Sequence, residues 1–251
     1  MPFDLQGQVA LVTGSTAGLG KGIAQSLAAS GATVALNYAN HQERAERAFS
    51  EFELKGGKGA LFRADVTDEG AVQHMVSEIE SQLGGIDVLV LNATPAQPLA
   101  PIEHYDWAFF QKMLDFFLKS PFLLTRAVLP GMKERSHGRI VNITSEAFLR
   151  GSAPFSAYVA AKGAQTGFTR SMATELAPFG ITVNSVAPGW IPVERHENDS
   201  QEAKDGYLAT IPAGRWGTPA DVGGAVAYYA SREAAFVTGK TLADNGGITV
   251  D

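Results

Sequence analysis

The chain has no cysteine among its 251 residues. This excludes disulfide bonds and thiolate metal sites, and it permits a reducing compartment. No apolar run approaches the roughly 20 residues that cross a bilayer. The first residues also lack the basic segment followed by an apolar one that marks a signal peptide. We therefore expect a cytoplasmic protein without a membrane partner.

An excess of positive charge is absent as well. Lys and Arg number 20 against 26 Asp and Glu, for a formal net charge of −6, so a nucleic acid bound through its phosphates is not expected. No Pro-, Gly- or Ser-rich linker, repeat or low-complexity stretch divides the sequence, and we predict one domain over residues 1–251. His196 has no His or carboxylate partner at ligand spacing, so no metal site is predicted.

Strand-like and helix-like segments alternate along most of the chain. Strands are expected over 8–13, 32–36, 59–62, 86–91, 138–143 and 181–186. Helices are expected around 23–28, 41–55, 69–83, 105–134 and 156–177. Such alternation, with β-branched runs apolar on both faces, predicts an α/β fold in which helices cover both sides of a parallel sheet.

A glycine-rich turn joins the first strand to the first helix, in the stretch Thr13-Gly-Ser-Thr-Ala-Gly-Leu-Gly20. Such a turn lets the backbone approach a phosphate closely, and the free N–H groups and dipole of the helix N-terminus favour its negative charge. The glycine spacing differs from the G-x-G-x-x-G fingerprint. A turn that needs glycine only for packing stays an alternative.

Tyr158 and Lys162 lie one turn apart on the same face of the helix expected over 156–177. A nearby ammonium favours the phenolate, so Lys162 is expected to lower the pKa of Tyr158. That would suit the phenol to general acid/base catalysis. An exposed amphipathic pair would have the same spacing.

Several further candidates each follow a strand. They are the Gly14 turn, Asn92, Ser145 and the pair Pro188-Gly189. Because ligands of parallel sheets lie beyond the carboxyl ends of the strands, we expect these residues to meet at one edge. This convergence favours a binding site over scattered structural roles.

Motifs along the whole chain resemble those of the short-chain dehydrogenases/reductases, in the single-domain branch of 3-oxoacyl-[acyl-carrier-protein] reductases and glucose dehydrogenases. The similar segments are Thr13–Gly20, Asp65-Val66, Asn92-Ala93, Gly138–Ser145, Tyr158–Lys162, Asn184–Gly189, Gly214–Pro219, Thr238–Leu242 and Asp244–Gly247. The resemblance implies a Rossmann-type doubly wound sheet, a nicotinamide cofactor, a small-molecule alcohol or ketone as substrate, and a homotetramer.

The resemblance also assigns roles by position. Tyr158 resembles the family's acid/base, Ser145 the hydroxyl that holds the substrate oxygen, and Lys162 the lysine that bonds the nicotinamide ribose. Hydride transfer to a carbonyl places negative charge on its oxygen. That oxygen then needs hydrogen-bond donors directed at it and a group that can give it a proton. The positions expected to bind the cofactor are Gly14, Thr16, Gly18, Leu19, Gly20, Asn37, Tyr38, Asp65, Val66, Asn92, Ala93, Thr94, Tyr158, Lys162, Pro188, Gly189 and Ile191.

Three positions depart from the family pattern. Thr94 and Val193 replace a glycine and a threonine near the cofactor, and Phe117 stands where the family has a catalytic asparagine that helps to hold water behind the lysine. Phe117 is expected either to interrupt this proton relay or only to pack the helix interior. Beside the favoured oxidoreductase, the departures leave open a cofactor-binding protein with little or no catalysis.

The type of cofactor and the substrate are less determined. The stretch Asn37-Tyr-Ala-Asn-His41 has no carboxylate for the ribose 2′-OH of NAD(H), and His41 or Arg44 would meet a 2′-phosphate, so NADP(H) is favoured over NAD(H). A lid expected over about 190–210 would close over a 3-oxoacyl thioester, a small polyol or a similar substrate. Alternatively, the charged residues of this segment do not contact the substrate and only face solvent. The expected substrate contacts are Glu146, Phe148, Arg150, Trp190, Arg195 and His196.

Overall fold

The strands form one parallel sheet. The structure is a computed structural model, and it describes residues 3–250. Within that range the strands are β1 Val9–Val12, β2 Thr33–Tyr38, β3 Lys58–Arg63, β4 Ile86–Leu91, β5 Gly138–Ile143, β6 Ile181–Pro188 and β7 Thr241–Asp244. Their order in the sheet is β3-β2-β1-β4-β5-β6-β7, and every adjacent pair is parallel.

Helices connect the strands as crossovers. The α-helices of the described range are α1 Gly18–Ala29, α2 Gln42–Leu54, α3 Glu69–Leu83, α4 Trp107–Leu114, α5 Ser120–Glu134, α6 Glu146–Arg150, α7 Ser156–Leu176, α8 Gln201–Leu208 and α9 Pro219–Ala230. Short 3₁₀ turns cover Ile102–His104, Ala177–Phe179, Glu194–His196 and Arg232–Ala234. None of the helices in residues 3–250 combines the length and the apolar character that a bilayer crossing demands.

The predicted doubly wound α/β fold is confirmed, with one change in a helix. The helix expected over 105–134 begins at Trp107, where Asp106 caps it, and it is interrupted by a π-helical turn at Asp115–Lys119. Pro121 follows this turn. Because proline has no N–H and its ring clashes with the carbonyl four residues back, a wider turn at this point relieves the conflict.

The two faces of the sheet are covered by different helices. Side chains of α1, α2 and α9 form one core with alternate strand residues such as Val12, whereas those of α3, α5 and α7 form the other with residues such as Leu11. Strand residues point alternately to opposite faces, so a strand buried on both sides is apolar throughout. A third, smaller cluster surrounds Phe117 and Tyr158 beside α4 and α6.

The chain reverses its direction of winding between β1 and β4, which lie side by side at the centre of the sheet. The hydroxyl of Thr13 ties their carboxyl ends together, because it accepts from the N–H groups of Asn92 and Ala93 at 2.9 and 3.0 Å. Crevices at such a reversal are where sheets of this kind bind ligands. The fold therefore directs attention to the carboxyl edge of β1, β4, β5 and β6.

Candidate active site

The first half of α7 carries two of the residues expected to be catalytic. Tyr158 and Lys162 are both buried, at 8% and 3% exposure. Ser145 follows β5 as the N-cap of α6, where its Oγ accepts from the N–H of Ala147 at 3.1 Å. The three residues come together at the carboxyl edge of the sheet.

Burial is the main cause of the pKa shifts of Tyr158 and Lys162. It raises the pKa of the Tyr158 phenol, and the Ser145 hydroxyl and the charge of Arg195 oppose it less strongly. Burial also lowers the pKa of Lys162 well below its usual value, with Arg195 adding to the effect. The expectation that Lys162 lowers the pKa of Tyr158 is therefore corrected, because desolvation by burial is the largest cause of the shift and Lys162 is not among the groups that oppose it. The phenol carries its proton at neutral pH.

Lys162 is held by protein groups. Its Nζ donates to the carbonyl oxygen of Ile143 at 2.6 Å and to Oε1 of Gln165 at 2.9 Å. The ring of Phe117 covers it, with Nζ 3.7 Å from the ring centroid, and meets the Tyr158 ring edge-on at 5.3 Å. Phe117 therefore contacts both Tyr158 and Lys162 and does more than fill the helix interior. Gln165 is absent from the sequence prediction, although its place three positions after Lys162 is a signal for it.

The glycine turn between β1 and α1 has little room for side chains. Gly14 and Gly18 adopt left-handed φ angles of 62° and 53°, and a Cβ on Gly20 would collide with the backbone of Gly14 and with Asn92. The side chain of Asn92 donates to the carbonyl oxygens of Thr13 and Gly14 at 2.9 and 3.2 Å. Asn92 therefore shapes the turn through its own hydrogen bonds.

A second amide supports this turn from the neighbouring strand. Asn37 is buried; its Oδ1 accepts from the N–H of Gly14 at 3.1 Å, and its Nδ2 donates to the carbonyl oxygen of Ala64 at 3.1 Å. Thr16 is also buried in the turn, and Leu19 packs against the core of α1. The side chain of Asn37 is thus used inside the protein, which gives it a role in fixing the turn.

The N-terminus of α1 is capped by a distant carboxylate. Its N-cap residue, Ala17, has no side chain that can accept a hydrogen bond. Instead, the N–H of Gly18 donates to Oε2 of Glu194 at 2.9 Å. A negatively charged oxygen is the group that a helix N-terminus favours. Glu194 is absent from the sequence prediction, since only the folded chain brings the 190–210 segment to α1.

A basic cleft opens beyond the carboxyl end of β2. Tyr38 is half-buried where β2 ends, and the cleft is lined by His41, Gln42, Glu43, Arg44 and Arg47. Glu43 and Arg47 approach each other at 3.9 Å, which leaves Arg44 as the net positive charge. The cleft also lies at the N-terminus of α2, so its field favours an anion.

The segments after β3 and β4 line the same edge. Asp65 is exposed, and its Oδ1 accepts from the N–H and the hydroxyl of Thr67 at 2.9 and 2.7 Å. Val66 is buried beneath it. Ala93 packs against Gly14, and Thr94 is exposed at the start of an irregular stretch. Ala93 and Thr94 lie next to the glycine turn because β4 is adjacent to β1, whereas Asp65 and Val66 follow β3, two strands away from β1.

The end of β6 leads into the segment expected to form the lid. The N–H of Gly189 donates to the carbonyl oxygen of Asp244 at 3.0 Å, which holds Pro188 and Gly189 against β7. Ile191 is buried in the core. Val193 packs over Gly18, 3.4 Å from where a Cβ would lie on that glycine. An apolar contact thus stands where the family pattern has a hydroxyl.

The remaining substrate candidates form a polar and aromatic group beside Ser145. The Tyr207 hydroxyl donates to Oε1 of Glu146 at 2.5 Å and accepts from the N–H of Trp190 at 2.7 Å. Glu146 is buried, and its Oε2 has no hydrogen-bond partner among the described residues. Trp190 also meets His196 edge-on at 5.8 Å. Tyr207 is a further residue that the sequence did not single out.

The other three candidates are less central. Arg150 is exposed and approaches Glu146 at 3.4 Å, while Phe148 packs against Gly163 of α7. Arg195 is exposed, and its Nε donates to Nε2 of His196 at 3.1 Å. Burial and Arg195 lower the pKa of His196, so this imidazole is neutral at pH 7. In residues 3–250 no three His, Asp or Glu side chains come together as a metal site would require.

The chain is similar to known proteins over almost its whole length. A family model described as enoyl-(acyl carrier protein) reductase matches residues 14–249. The chain is 37% identical to a 2-dehydro-3-deoxy-D-gluconate 5-dehydrogenase of Formosa agariphila, over 98% of this chain and 94% of that protein. It is 40% identical to a 3-oxoacyl-[acyl-carrier-protein] reductase of Vibrio cholerae, over 98% and 99%.

A solved structure extends the similarity to the fold. A gluconate 5-dehydrogenase from Burkholderia cenocepacia, in complex with NADP and tartrate, superposes with a TM-score of 0.91. The two sequences are 33% identical, and the match covers 98% of this chain and 96% of the other. Sequence and fold therefore agree over nearly the full length of these relatives.

Proposed function

Because this chain belongs to the short-chain dehydrogenase/reductase family, we propose that it is an NADP(H)-dependent oxidoreductase that interconverts a secondary alcohol and a ketone, with Tyr158 as the acid/base. The observation that carries the proposal is the meeting of Ser145, Tyr158 and Lys162 at the same carboxyl edge of the sheet as the glycine turn. No finding supports the alternative of a binding protein without catalysis.

In such a reaction Ser145, Tyr158 and Lys162 have different roles. The nicotinamide supplies or accepts the hydride when bound. In the direction of reduction, the Ser145 hydroxyl and the Tyr158 phenol donate hydrogen bonds to the carbonyl oxygen as it gains charge, and Tyr158 transfers its proton to that oxygen. Lys162 stabilises the phenolate that is left. Because burial raises the pKa of Tyr158, the phenol carries a proton before reduction begins and can serve as the acid.

The residues present fit a nicotinamide dinucleotide phosphate. Gly14, Gly18 and the N-terminus of α1 would hold the pyrophosphate, and Arg44 with His41 would bind the 2′-phosphate in the basic cleft. The NADP bound to the Burkholderia cenocepacia relative supports this choice. NAD(H) would leave the positive charge of the cleft without a partner.

Replacing Arg44 tests the type of cofactor. We expect Arg44→Ser to weaken NADPH binding about tenfold and to leave NADH binding unchanged, because a hydrogen bond between charged groups contributes about 1.5–3 kcal/mol and part is lost to solvent at an exposed site. Cofactor fluorescence titration gives both dissociation constants. Lys55→Ser removes the same charge at the other end of α2 and serves as the control. Equal effects on NADPH and NADH would contradict this site for the phosphate.

For the substrate we propose a hydroxylated carboxylic acid. Glu146, Tyr207 and Trp190 make the wall beside Ser145 polar, because the Tyr207 hydroxyl bonds both the carboxylate of Glu146 and the N–H of Trp190. The charge of Arg195 reaches Tyr158 and Lys162, so it would attract a carboxylate. The relatives that act on gluconate-type acids support this class. The similarity to 3-oxoacyl-[acyl-carrier-protein] reductases makes a 3-oxoacyl thioester the second candidate.

A screen with NADP⁺ or NADPH separates these candidates. Gluconate and its keto derivatives, simple polyols and a 3-oxoacyl thioester are compared by kcat/KM. We expect the sugar acids to be preferred over the thioester. Preference for the thioester would overturn the substrate proposal, and no turnover of any alcohol or ketone would overturn the enzymatic one. Homotetrameric assembly and cytoplasmic location stay predictions of the sequence.

A further inference from the structure

Among residues 3–250, Lys162 donates to one side-chain acceptor. The lysine is 3% exposed, and a buried ammonium is costly unless its protons are bonded. Its two hydrogen bonds go to the backbone carbonyl of Ile143 and to Oε1 of Gln165. The carbonyl oxygen of Ile143 belongs to the backbone and would be there with any residue at that position. The acceptor at Gln165 exists only because that residue is a glutamine.

The amide of Gln165 is held in a fixed orientation. Gln165 is 1% exposed, and its Nε2 donates to Oδ1 of Asn142 on β5 at 3.2 Å. Because the amide nitrogen is turned towards Asn142, the amide oxygen is turned towards Lys162. Both amides are buried, and each is carried by a regular element, α7 or β5. A bonded buried amide has little freedom to leave the lysine.

Phe117 also covers the ammonium. Its ring lies over Nζ at 3.7 Å and stabilises the charge through the π face, but it offers neither a hydrogen-bond acceptor nor a place to hold water. With an aromatic residue at position 117, the hydrogen-bond acceptor that the Lys162 ammonium needs must come from another residue. Gln165 meets it from within α7 itself.

We propose that Gln165, held by Asn142, is a positioning residue that keeps the Lys162 ammonium charged and directed at the reacting group, a role that Phe117 cannot fill. This inference rests on the proposed oxidoreductase function. Gln165 touches neither substrate nor the reacting phenol, and it acts through Lys162. The other groups that bear on Lys162 are Tyr158, with Nζ 5.6 Å from its ring, and Arg195 of the 190–210 segment.

The first test is the pH dependence of alcohol oxidation in Gln165→Leu. Oxidation requires the Tyr158 phenolate, which the ammonium stabilises. Without its acceptor the lysine is less well held in its charged form, so the phenolate forms at higher pH. We expect the acid limb of kcat to move to higher pH, kcat at neutral pH to fall at least tenfold, and KM for the substrate to change less than threefold.

Two matched variants separate positioning from folding. Gln165→Glu gives up the bond to Asn142 but keeps an acceptor oxygen, now charged, for the ammonium, and we expect it to return the acid limb to the wild-type pH or below. Thr169→Val removes a buried hydroxyl one turn further along α7, bonded to Gln165 O and Ser185, and should leave the pH profile in place. An unchanged profile in Gln165→Leu, or the same displacement in Thr169→Val, would overturn the inference.

A second readout does not depend on turnover. In protein labelled with ¹³C-lysine, the Cε signal of Lys162, assigned with Lys162→Met, is titrated in wild type and in Gln165→Leu. We expect the signal to titrate at lower pH in the variant, because the charged form has lost its acceptor. Identical titrations would overturn the inference even if no substrate were found, whereas a wild type that titrates as expected but turns over no alcohol would count against the proposed function alone.

Discussion

Tyr158 lies between two aromatic rings, stacked on Phe155 at 4.4 Å and 18° and against the edge of Phe117. This packing fixes the ring without using the hydroxyl, so the phenol oxygen is left for Ser145 and for the substrate. It also explains why burial decides the direction of the pKa shift. Removing only the oxygen should therefore leave the packing intact.

Tyr158→Phe is the direct test of the acid/base role. We expect turnover to fall at least a hundredfold, since general acid/base catalysis contributes about 10²–10⁴-fold, while the NADPH dissociation constant changes only a few-fold. Steady-state kinetics and fluorescence titration measure the two effects. Tyr228→Phe removes the same atom from α9 and should have no effect. Turnover above about a tenth of wild type would contradict the role.

The residues of the site differ in how well the sequence predicts them. Tyr158 and Lys162 follow from their spacing, which puts them on one face of α7, and Ser145 follows from the resemblance to the family motifs. Glu194 and Tyr207 do not, because their partners Gly18 and Glu146 are far along the chain. The direction of the Tyr158 pKa was also missed, since burial cannot be judged from the ammonium four residues away.

At the scale of elements, the contact between Glu194 and α1 links the 190–210 segment to the expected phosphate site. The carboxylate uses the N–H of Gly18, the group that a cofactor phosphate would need. A second negative charge at this helix end also repels a phosphate. The two anions therefore compete for one position.

Replacing Glu194 by glutamine should tighten cofactor binding. A charge at a helix N-terminus contributes about 0.3–1 kcal/mol, so we expect Glu194→Gln to lower the NADPH dissociation constant about two- to fivefold. Glu197→Gln makes the same charge change nearby, without a side-chain bond to α1, and should have less effect. Weaker NADPH binding in Glu194→Gln would show that the carboxylate assists the cofactor instead.

The hydrogen bonds and ion pair at the start of α9 make a contribution to folding stability that depends on pH. Asp221 and Thr218 cap each other, and Arg215 binds the carboxylate through two bonds of 2.9 Å. Arg215 holds the pKa of Asp221 below its usual value. Because the pKa is depressed in the folded state, the stabilisation is complete above the unfolded pKa near about 3.9 and is lost as the pH falls through the folded pKa.

Asp221→Asn measures this contribution. We expect the free energy of unfolding at pH 7 to fall by about 1 kcal/mol, from the loss of a cap and of a pair whose solvent exposure reduces its value. The difference from wild type should shrink as the pH falls below about 4. Urea unfolding at several pH values tests both points, with Glu78→Gln on α3 as control. If the difference in unfolding free energy between wild type and Asp221→Asn grew as the pH fell, the pKa of Asp221 would not be depressed in the folded state.

The elements themselves were largely predictable. Six strands follow from short apolar runs between turns, and α3 from its 3.6-residue pattern. Strand β7 was missed because Thr241–Asp244 is short and only half-buried, with little apolar signal. The π turn at Asp115–Lys119 was missed because the apolar pattern runs through it, and only Pro121 marks the conflict.

At the scale of the whole molecule, β7 leaves one edge of the sheet open. It is the last strand in the order, so one side of its backbone has no neighbour in the described sheet. Phe236, in the segment that leads into it, is fully exposed. Open edges and exposed aromatic side chains are features that proteins commonly cover with another chain, and closed symmetry is the usual result.

We therefore predict a homotetramer in which this edge is covered by a second copy. Light scattering at micromolar concentration should give a mass near four times that of one chain. Phe236→Arg places a charge at the proposed contact and should reduce the mass to that of a dimer. Leu54→Arg, at another highly exposed position, on α2 at the other end of the sheet, should leave the tetramer intact. A monomer mass for the wild-type chain would refute the assembly, and an unchanged mass for Phe236→Arg would place the contact elsewhere.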